Sequence, residues 1–322
     1  MRRREFLKYV PPGMLSISLD YLDRPGDKSK KGYLEKPLPR RPLGKTKESL
    51  SIVGLGGVVL ANEDQELCNQ IVKEAIEYGV NYFDVAPSYG NAEERMGPAL
   101  KPYRKKIFLA CKTQKRDKEG AQQELHQSLA RLQTDYIDLY QLHALSKIED
   151  LDEALGPNGA LETFLKAKEA GKIRFLGFSA HSVEAALEAI RRFDFDTVLF
   201  PVNFACYYKG NFGPQILSAA LKKNMGILAI KALARQVWPA AEMRKEWPKC
   251  WYQPITDPEE SELALRFTLS QPVTAIIPPG DPRLFKNTLN LAIRFKPITS
   301  EEESKLRQLA NNLNPIFITK PS

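Results

Sequence analysis

Four side chains hold the chemistry this sequence offers: Asp84, Tyr89, Lys112 and His143. Each stands at or just past the end of a short apolar run, and three successive runs deliver them. A tyrosine phenol, with a pKa of about 10, protonates a carbonyl poorly at neutral pH. A neighbouring ammonium lowers that pKa, and an ammonium held away from water needs a counter-charge. Lys112 and Asp84 fit those two parts, and His143 can donate a hydrogen bond to the oxygen that gains charge. Such a set adds or removes a proton at a carbonyl or alcohol oxygen. It contains no nucleophile, so the electrons must come from a separate carrier, most simply as hydride from a nicotinamide. Taken singly, each residue also has a structural reading: a cap, a snorkelling lysine, a hydrogen-bonded histidine. Their arrival together is what argues for chemistry.

The elements that must position them alternate regularly. Apolar runs at 51–55, 81–85, 106–112, 136–143, 173–178, 197–202, 227–230 and 274–277 read as strands. Amphipathic stretches at 64–78, 91–101, 119–132, 159–170, 182–192, 213–224 and 258–270 separate them, with further helices at 282–295 and 300–312. Eight strand–helix units within about 270 residues fit a closed parallel (β/α)8 barrel. An open doubly wound sheet usually carries G-x-G-x-x-G after its first strand; here that place reads Gly54-Leu55-Gly56-Gly57-Val58-Val59. In a barrel, chemistry belongs at the C-terminal ends of the strands, where the four residues stand.

Composition removes other classes. The 322-residue chain is 43% hydrophobic and 27% charged, which suits a globular protein. No apolar stretch approaches the roughly 18 residues of a membrane helix. The net charge of +8 belongs to residues 1–47, with 13 Lys/Arg against 5 Asp/Glu; the rest carries 34 of each sign. The body is therefore neutral, which argues against nucleic acid. The four cysteines are not spaced for zinc or an iron–sulfur cluster, and three histidines are too few for a metal-dependent hydrolase.

Residues 1–36 read as a basic arm and linker, and 37–322 as the barrel. Arg3-Arg4-Glu5-Phe6-Leu7-Lys8 matches a twin-arginine export signature, but Pro11, Pro12 and Gly13 interrupt the apolar region that should follow. A cytoplasmic protein is the expectation, with periplasmic export as the alternative.

With these residues in view, the chain resembles the aldo-keto reductase superfamily over roughly residues 40–313. Arg41-Pro42-Leu43-Gly44-Lys45-Thr46 is similar to the family's opening hairpin. Phe83-Asp84-Val85-Ala86-Pro87-Ser88-Tyr89-Gly90-Asn91-Ala92-Glu93 is similar to its D-x-A-x-x-Y-G-x-x-E segment. Lys112 and His143 occupy the other two positions of its catalytic tetrad. The resemblance implies a (β/α)8 barrel with an N-terminal hairpin and a C-terminal extra helix. It also implies NADP(H), or alternatively NAD(H), as cofactor. It further implies Gly57, Ser179, His181, Asn203, Lys231, Arg283, Lys286 and Asn287 as cofactor contacts. The nicotinamide half departs from the family: Ala180 replaces an Asn, Leu199 a Gln, and Ile230 an aromatic. His181 either supplies the missing donor or is structural, and Lys231 either approaches the pyrophosphate or lies on the surface. Arg283 and Asn287 keep the spacing of the 2′-phosphate Arg and adenine-binding Asn.

All three tryptophans, Trp238, Trp247 and Trp251, fall in residues 232–256, which reads as a single substrate loop or as an interface. The expected activity is hydride transfer between nicotinamide and a small carbonyl or alcohol substrate. The alternative is a cofactor-binding regulatory subunit of the same fold. The sequence has no signal for a particular substrate or oligomeric state.

Overall fold

The apolar runs form one parallel sheet that closes on itself. The computed structural model describes residues 37–319. An antiparallel hairpin, β1 (Arg40–Pro42) and β2 (Ser49–Ser51), opens the chain. The barrel strands follow as β3 (Leu55–Gly56), β4 (Tyr82–Asp84), β5 (Phe108–Thr113), β6 (Ile137–Leu145), β7 (Ile173–Ala180), β8 (Thr197–Pro201) and β9 (Gly226–Ile230). A second small hairpin, β10 (Ala234–Gln236) and β11 (Gln253–Pro254), intervenes before β12 (Ala275–Ile277) completes the barrel. Closure runs through Val53, which bridges Ile276; the Gly54 N–H donates to the Ile276 carbonyl at 2.9 Å.

The helices between strands are α1 (Gln65–Glu77), α2 (Ala92–Leu100), α3 (Lys118–Arg131), α4 (Ile148–Leu155), α5 (Ala160–Glu169) and α6 (Val183–Arg192). Beyond them lie α7 (Phe204–Tyr208), α8 (Pro214–Lys222), α9 (Pro258–Ser270), α10 (Pro282–Ala292) and the extra α11 (Ser300–Asn311). Local sequence fixes where they start. Asp64, Asp117, Ser182, Asp257, Asp281 and Thr299 each accept a backbone N–H in the first turn of the following helix. In α9 and α10 a proline follows the cap, where its missing N–H costs nothing.

Side chains alternate along the strands and sort into two cores. Phe83, Leu109, Cys111, Tyr140 and Leu142 face the helices. Tyr82, Phe108, Ala110, Leu139, Leu199, Leu228 and Ala275 fill the barrel, joined by Leu43 and Leu50 of the first hairpin. The hairpin packs against the start of β9, where a Cβ on Gly226 would lie 2.4 Å from Leu43 Cδ1. Continuing the inward alternation upward brings Asp84, Lys112, Gln141 and His143 to the rim.

Three expectations need correction. The run at 51–55 is not one strand: Ser51 ends the hairpin, and only Leu55–Gly56 joins the barrel ladder. Residues 232–256 are not one open loop, because β10 pairs with β11. The helices α4 and α7 lie where loops were expected; α7 is capped by Asn203. The basic arm over 1–36 and its Arg3-Arg4 motif lie outside the described residues. Among those described, no helix is long and apolar enough to cross a membrane.

Candidate active site

Asp84, Tyr89, Lys112 and His143, from β4, the loop after it, β5 and β6, line one cleft of about 910 Å³, part of it open to solvent. Lys112 is wholly buried and forms an ion pair with Asp84 Oδ1; its Nζ also donates to the Val85 carbonyl at 3.1 Å. The other Asp84 oxygen accepts from Tyr82 OH at 3.1 Å and from Gln141 Nε2 at 3.3 Å. Four bonds thus hold one buried carboxylate and ammonium against each other, which satisfies both charges. Lys112 Nζ lies 5.1 Å from the centre of the Tyr89 ring, and the Tyr89 and His143 rings meet edge-on at 5.7 Å.

The electrostatics follow from burial. Burial lowers the Lys112 pKa, but Asp84 and Tyr89 outweigh it and shift it upward. Burial raises the Tyr89 hydroxyl by more than Lys112 lowers it. The expected net lowering of Tyr89 is therefore reversed, and the phenol is held protonated. Burial also drives the His143 pKa down to about 2, assisted by Lys112, so its imidazole is neutral. The β6–β7 ladder shifts register around this residue, between Leu142 and Leu145. Ala144 takes φ 56°, and its N–H donates to Ser179 Oγ at 2.7 Å. The His143 carbonyl accepts from Arg116 at 2.7 Å, and Nδ1 lies 3.4 Å from Ser88 Oγ.

Three of the expected contact residues outside the four, Ser179, His181 and Lys231, line the same cleft. The Ser179 oxygen is committed to Ala144, which leaves its O–H free to donate. The His181 ring stacks on Phe317 at 5.3 Å, and burial lowers its pKa to about 4. Lys231 is half-buried, so the surface reading fails; burial lowers its pKa to about 8. The remaining contacts are not brought to the cleft. Gly56 and Val58 line it, whereas a Cβ on Gly57 would point at Val85 Cγ2, 2.7 Å away; its smallness serves packing. Asn203 Oδ1 accepts from Cys206 N–H as the α7 cap. Lys286 pairs with Glu74, and Asn287 lies half-buried on α10. Arg283 is held by Asp281 at 2.9 Å, donates to the Glu246 carbonyl at 3.1 Å and stacks on Trp247 at 4.0 Å.

The tryptophans also divide. Only Trp251 lines the cleft; Trp247 covers Arg283, and Trp238 Nε1 donates to the Cys250 carbonyl within the loop. Sequence reasoning missed Tyr82 and Gln141, although each lies two residues before a rim residue and shares its inward face. It also missed Tyr252, a cleft wall, and Lys249, whose Nζ donates to the Val59 carbonyl at 3.0 Å and pairs with Glu63 at 2.7 Å. Those contacts depend on chain segments nearly 190 residues apart, which spacing does not reveal. Among the described residues no cluster of His, Cys, Asp and Glu is arranged to hold a metal ion.

A nicotinamide nucleotide fits this lining. Ser179 offers a donor, Leu199, Ile230 and Ile277 an aliphatic wall, and the 56–58 and 278–280 segments polar backbone beside it. Comparisons with known proteins bear on the family of the chain. The chain is 35% identical over 167 residues to an uncharacterized oxidoreductase of Bacillus subtilis, YqkF, covering 48% of this chain and 52% of that protein. It is 33% identical over 144 residues to the aldo-keto reductase YhdN of the same organism, covering 40% and 42%. The chain thus spans about half the length of these curated relatives. An aldo-keto reductase of Bacillus halodurans, solved in its holo form, superposes with a TM-score of 0.66 at 24% identity, covering 84% of this chain and 96% of that one. The sequence profile of the aldo/keto reductase family matches residues 53–250; with the closed barrel and the rim it carries, the chain belongs to that family.

Proposed function

We propose that this protein is an NADP(H)-dependent oxidoreductase that interconverts a small carbonyl compound and its alcohol. The observation behind this reading is the convergence of Tyr89 and His143 on a buried Asp84–Lys112 ion pair within one cleft. The bound nicotinamide supplies or accepts the hydride; Ser179 and His181 are its proposed carboxamide partners and Arg283 the partner of its 2′-phosphate. Tyr89 holds the proton that passes to the substrate oxygen. Its raised pKa keeps it loaded at neutral pH, and an alkoxide is a far stronger base than a phenolate, so transfer remains downhill. Lys112 limits that rise and steadies the phenolate left behind; Asp84 keeps Lys112 charged. Neutral His143 can donate a hydrogen bond to the same oxygen without competing for the proton.

The replaced contacts at Ala180, Leu199 and Ile230 and the Asp281-bound Arg283 favour a second reading, a nucleotide-sensing subunit with little turnover. Fluorescence titration with NADPH and NADH, followed by oxidation assays over a panel of aldehydes and ketones, separates the two. Tight NADPH binding with multiple turnovers supports the enzyme; binding without turnover on any carbonyl supports the sensor. We further propose a basic arm over 1–36 and a cytoplasmic location. Fractionation of wild type against Arg3→Lys/Arg4→Lys tests this: periplasmic protein lost in the double variant would show export.

A further inference from the structure

One peptide group at the rim is held in a conformation that its residues do not favour. It joins His143 to Ala144, and Ala144 takes φ 56°, the left-handed region that an alanine seldom enters. Such strain persists only where the surrounding contacts over-determine it. Here both ends of the peptide are clamped. Its N–H donates to Ser179 Oγ at 2.7 Å, and its carbonyl, that of His143, accepts from Arg116 Nη2 at 2.7 Å. The regular ladders give out at this point: the pairing of β5 with β6 ends at Leu142, and the β6–β7 register shifts between Leu142 and Leu145.

Arg116 is itself fixed by three helices. Its carbonyl accepts from the Ala160 N–H at the start of α5, at 2.7 Å. The next residue, Asp117, caps α3. Its side chain is 11% exposed, and Nε lies 3.6 Å from Asp150 Oδ1. The other Asp150 oxygen accepts from the Ser146 and Lys147 N–H groups ahead of α4. Hydrogen-bond economy does not explain this placement. Nε and Nη1 are buried with no hydrogen-bond partner among the described residues, and such donors are costly to bury. What the placement achieves is reach: one planar guanidinium spans from the Asp150 carboxylate to the His143 carbonyl as a rigid strut.

Resting on the carbonyl-reduction reading above, we propose that Arg116 is a positioning residue for His143: by holding the His143–Ala144 peptide in its left-handed setting, it keeps the imidazole aimed at the substrate oxygen. Arg116 does not line the cleft, so it acts through the His143 backbone. The imidazole follows Gln141 on the inward face of β6, and rotation of the peptide behind it swings the ring. A misplacement of about 1 Å at the reacting centre is enough to cost about 10²-fold in rate.

The test is a double-mutant cycle on the full chain, read as single-turnover reduction of 4-nitrobenzaldehyde at saturating NADPH. Arg116→Met should slow the step by about 10- to 100-fold, with NADPH affinity largely kept. In a His143→Ala background the same substitution should cost less than about twofold, because no ring is left to aim. Asp150→Asn keeps an oxygen for the α4 N-terminus but removes the charge beside Arg116. It should give a smaller loss that also vanishes without His143, and it decides the question by the same cycle if Arg116→Met does not fold. The ligand-free protein gives a second readout. In ¹⁵N spectra of its three histidines, with His143 assigned through His143→Ala, Arg116→Met should move or split the His143 ring signals and leave those of His126 in place. Thermal midpoints check that each variant folds. Equal losses with and without His143 overturn the proposal, as does a loss carried by NADPH affinity alone or an unmoved His143 signal. Each of these leaves the reductase standing and removes only this role. Wild type that reduces neither this aldehyde nor a panel of other carbonyl compounds overturns the reductase reading and this role with it.

Discussion

The cleft and the neighbouring start of α10 are built differently. At the β4–β6 end, Asp84 is held by Lys112, Tyr82 and Gln141 inside the barrel, and Tyr89 and His143 complete the rim. At the start of α10, outside the cleft lining, the charged groups are paired at the surface: Arg283 with Asp281 and Lys286 with Glu74 of α1. The difference lies in what surrounds each pair. Inside the barrel, low dielectric makes an ion pair strong and the loss of either partner expensive. On half-exposed α10, the Asp281–Arg283 bridge is screened and worth little, so an incoming phosphate can compete for the guanidinium. On the proposed function, the proton-transfer apparatus is fixed beforehand, while the nucleotide seat is a set of replaceable pairings.

The sharpest way to break this comparison is Tyr89→Phe. If the rim is the preassembled proton donor, carbonyl reduction should fall by about 10²- to 10⁴-fold, with nucleotide affinity largely kept. Single-turnover kinetics and a fluorescence titration report the two separately; near-wild-type turnover would remove Tyr89 from the role.

Lys112→Met tests the buried pair as structure. It leaves Asp84 charged and unpartnered by any cation, and should destabilise the fold by about 3–5 kcal/mol. Denaturant unfolding measures this, and Lys112→Met/Asp84→Asn should recover part of the loss. A cost under 1 kcal/mol would mean that the pair is well hydrated.

The start of α10 should respond more mildly and only to the phosphorylated nucleotide. Arg283→Ala should weaken NADPH binding by about 1.5–3 kcal/mol, toward the lower figure because Asp281 already engages the guanidinium. Asp281→Asn keeps the helix cap but releases Arg283, and should tighten NADPH modestly while leaving NADH unchanged. Equal effects on both nucleotides would contradict the assignment.

The smallest effect concerns pH. Burial depresses His143 from 6.5 to about 2 and His181 from 6.5 to about 4. The unfolded chain therefore binds protons first, so the stability these residues permit is complete above pH 6.5 and is lost as pH falls below it. Each should cost about 1 kcal/mol at pH 5.5, one unit below the unfolded value. Thermal melts at pH 7.5 and 5.5 should differ less in His181→Asn than in wild type.

The sequence by itself determined the parts governed by local rules. Strand and helix rhythm follows from alternating hydrophobicity, and helix starts from single capping residues such as Asp117 and Asp281. Nearly every element lies within a few residues of where its pattern put it. The four rim residues were legible because barrel chemistry gathers at strand ends. Only the tertiary structure decided which other polar groups face the cleft. Asn203 Oδ1 caps α7 while its buried Nδ2 has no hydrogen-bond partner among the described residues; a Cβ on Gly57 would meet Val85; Arg283 bonds the aspartate two residues before it. The places of Tyr82, Gln141 and Tyr252 beside the cleft arose only once separate strands and the 234–254 loop met in space. A hydrogen bond or ion pair commits a side chain to one partner at about 3 Å, and spacing along the chain does not say which partner will be that close.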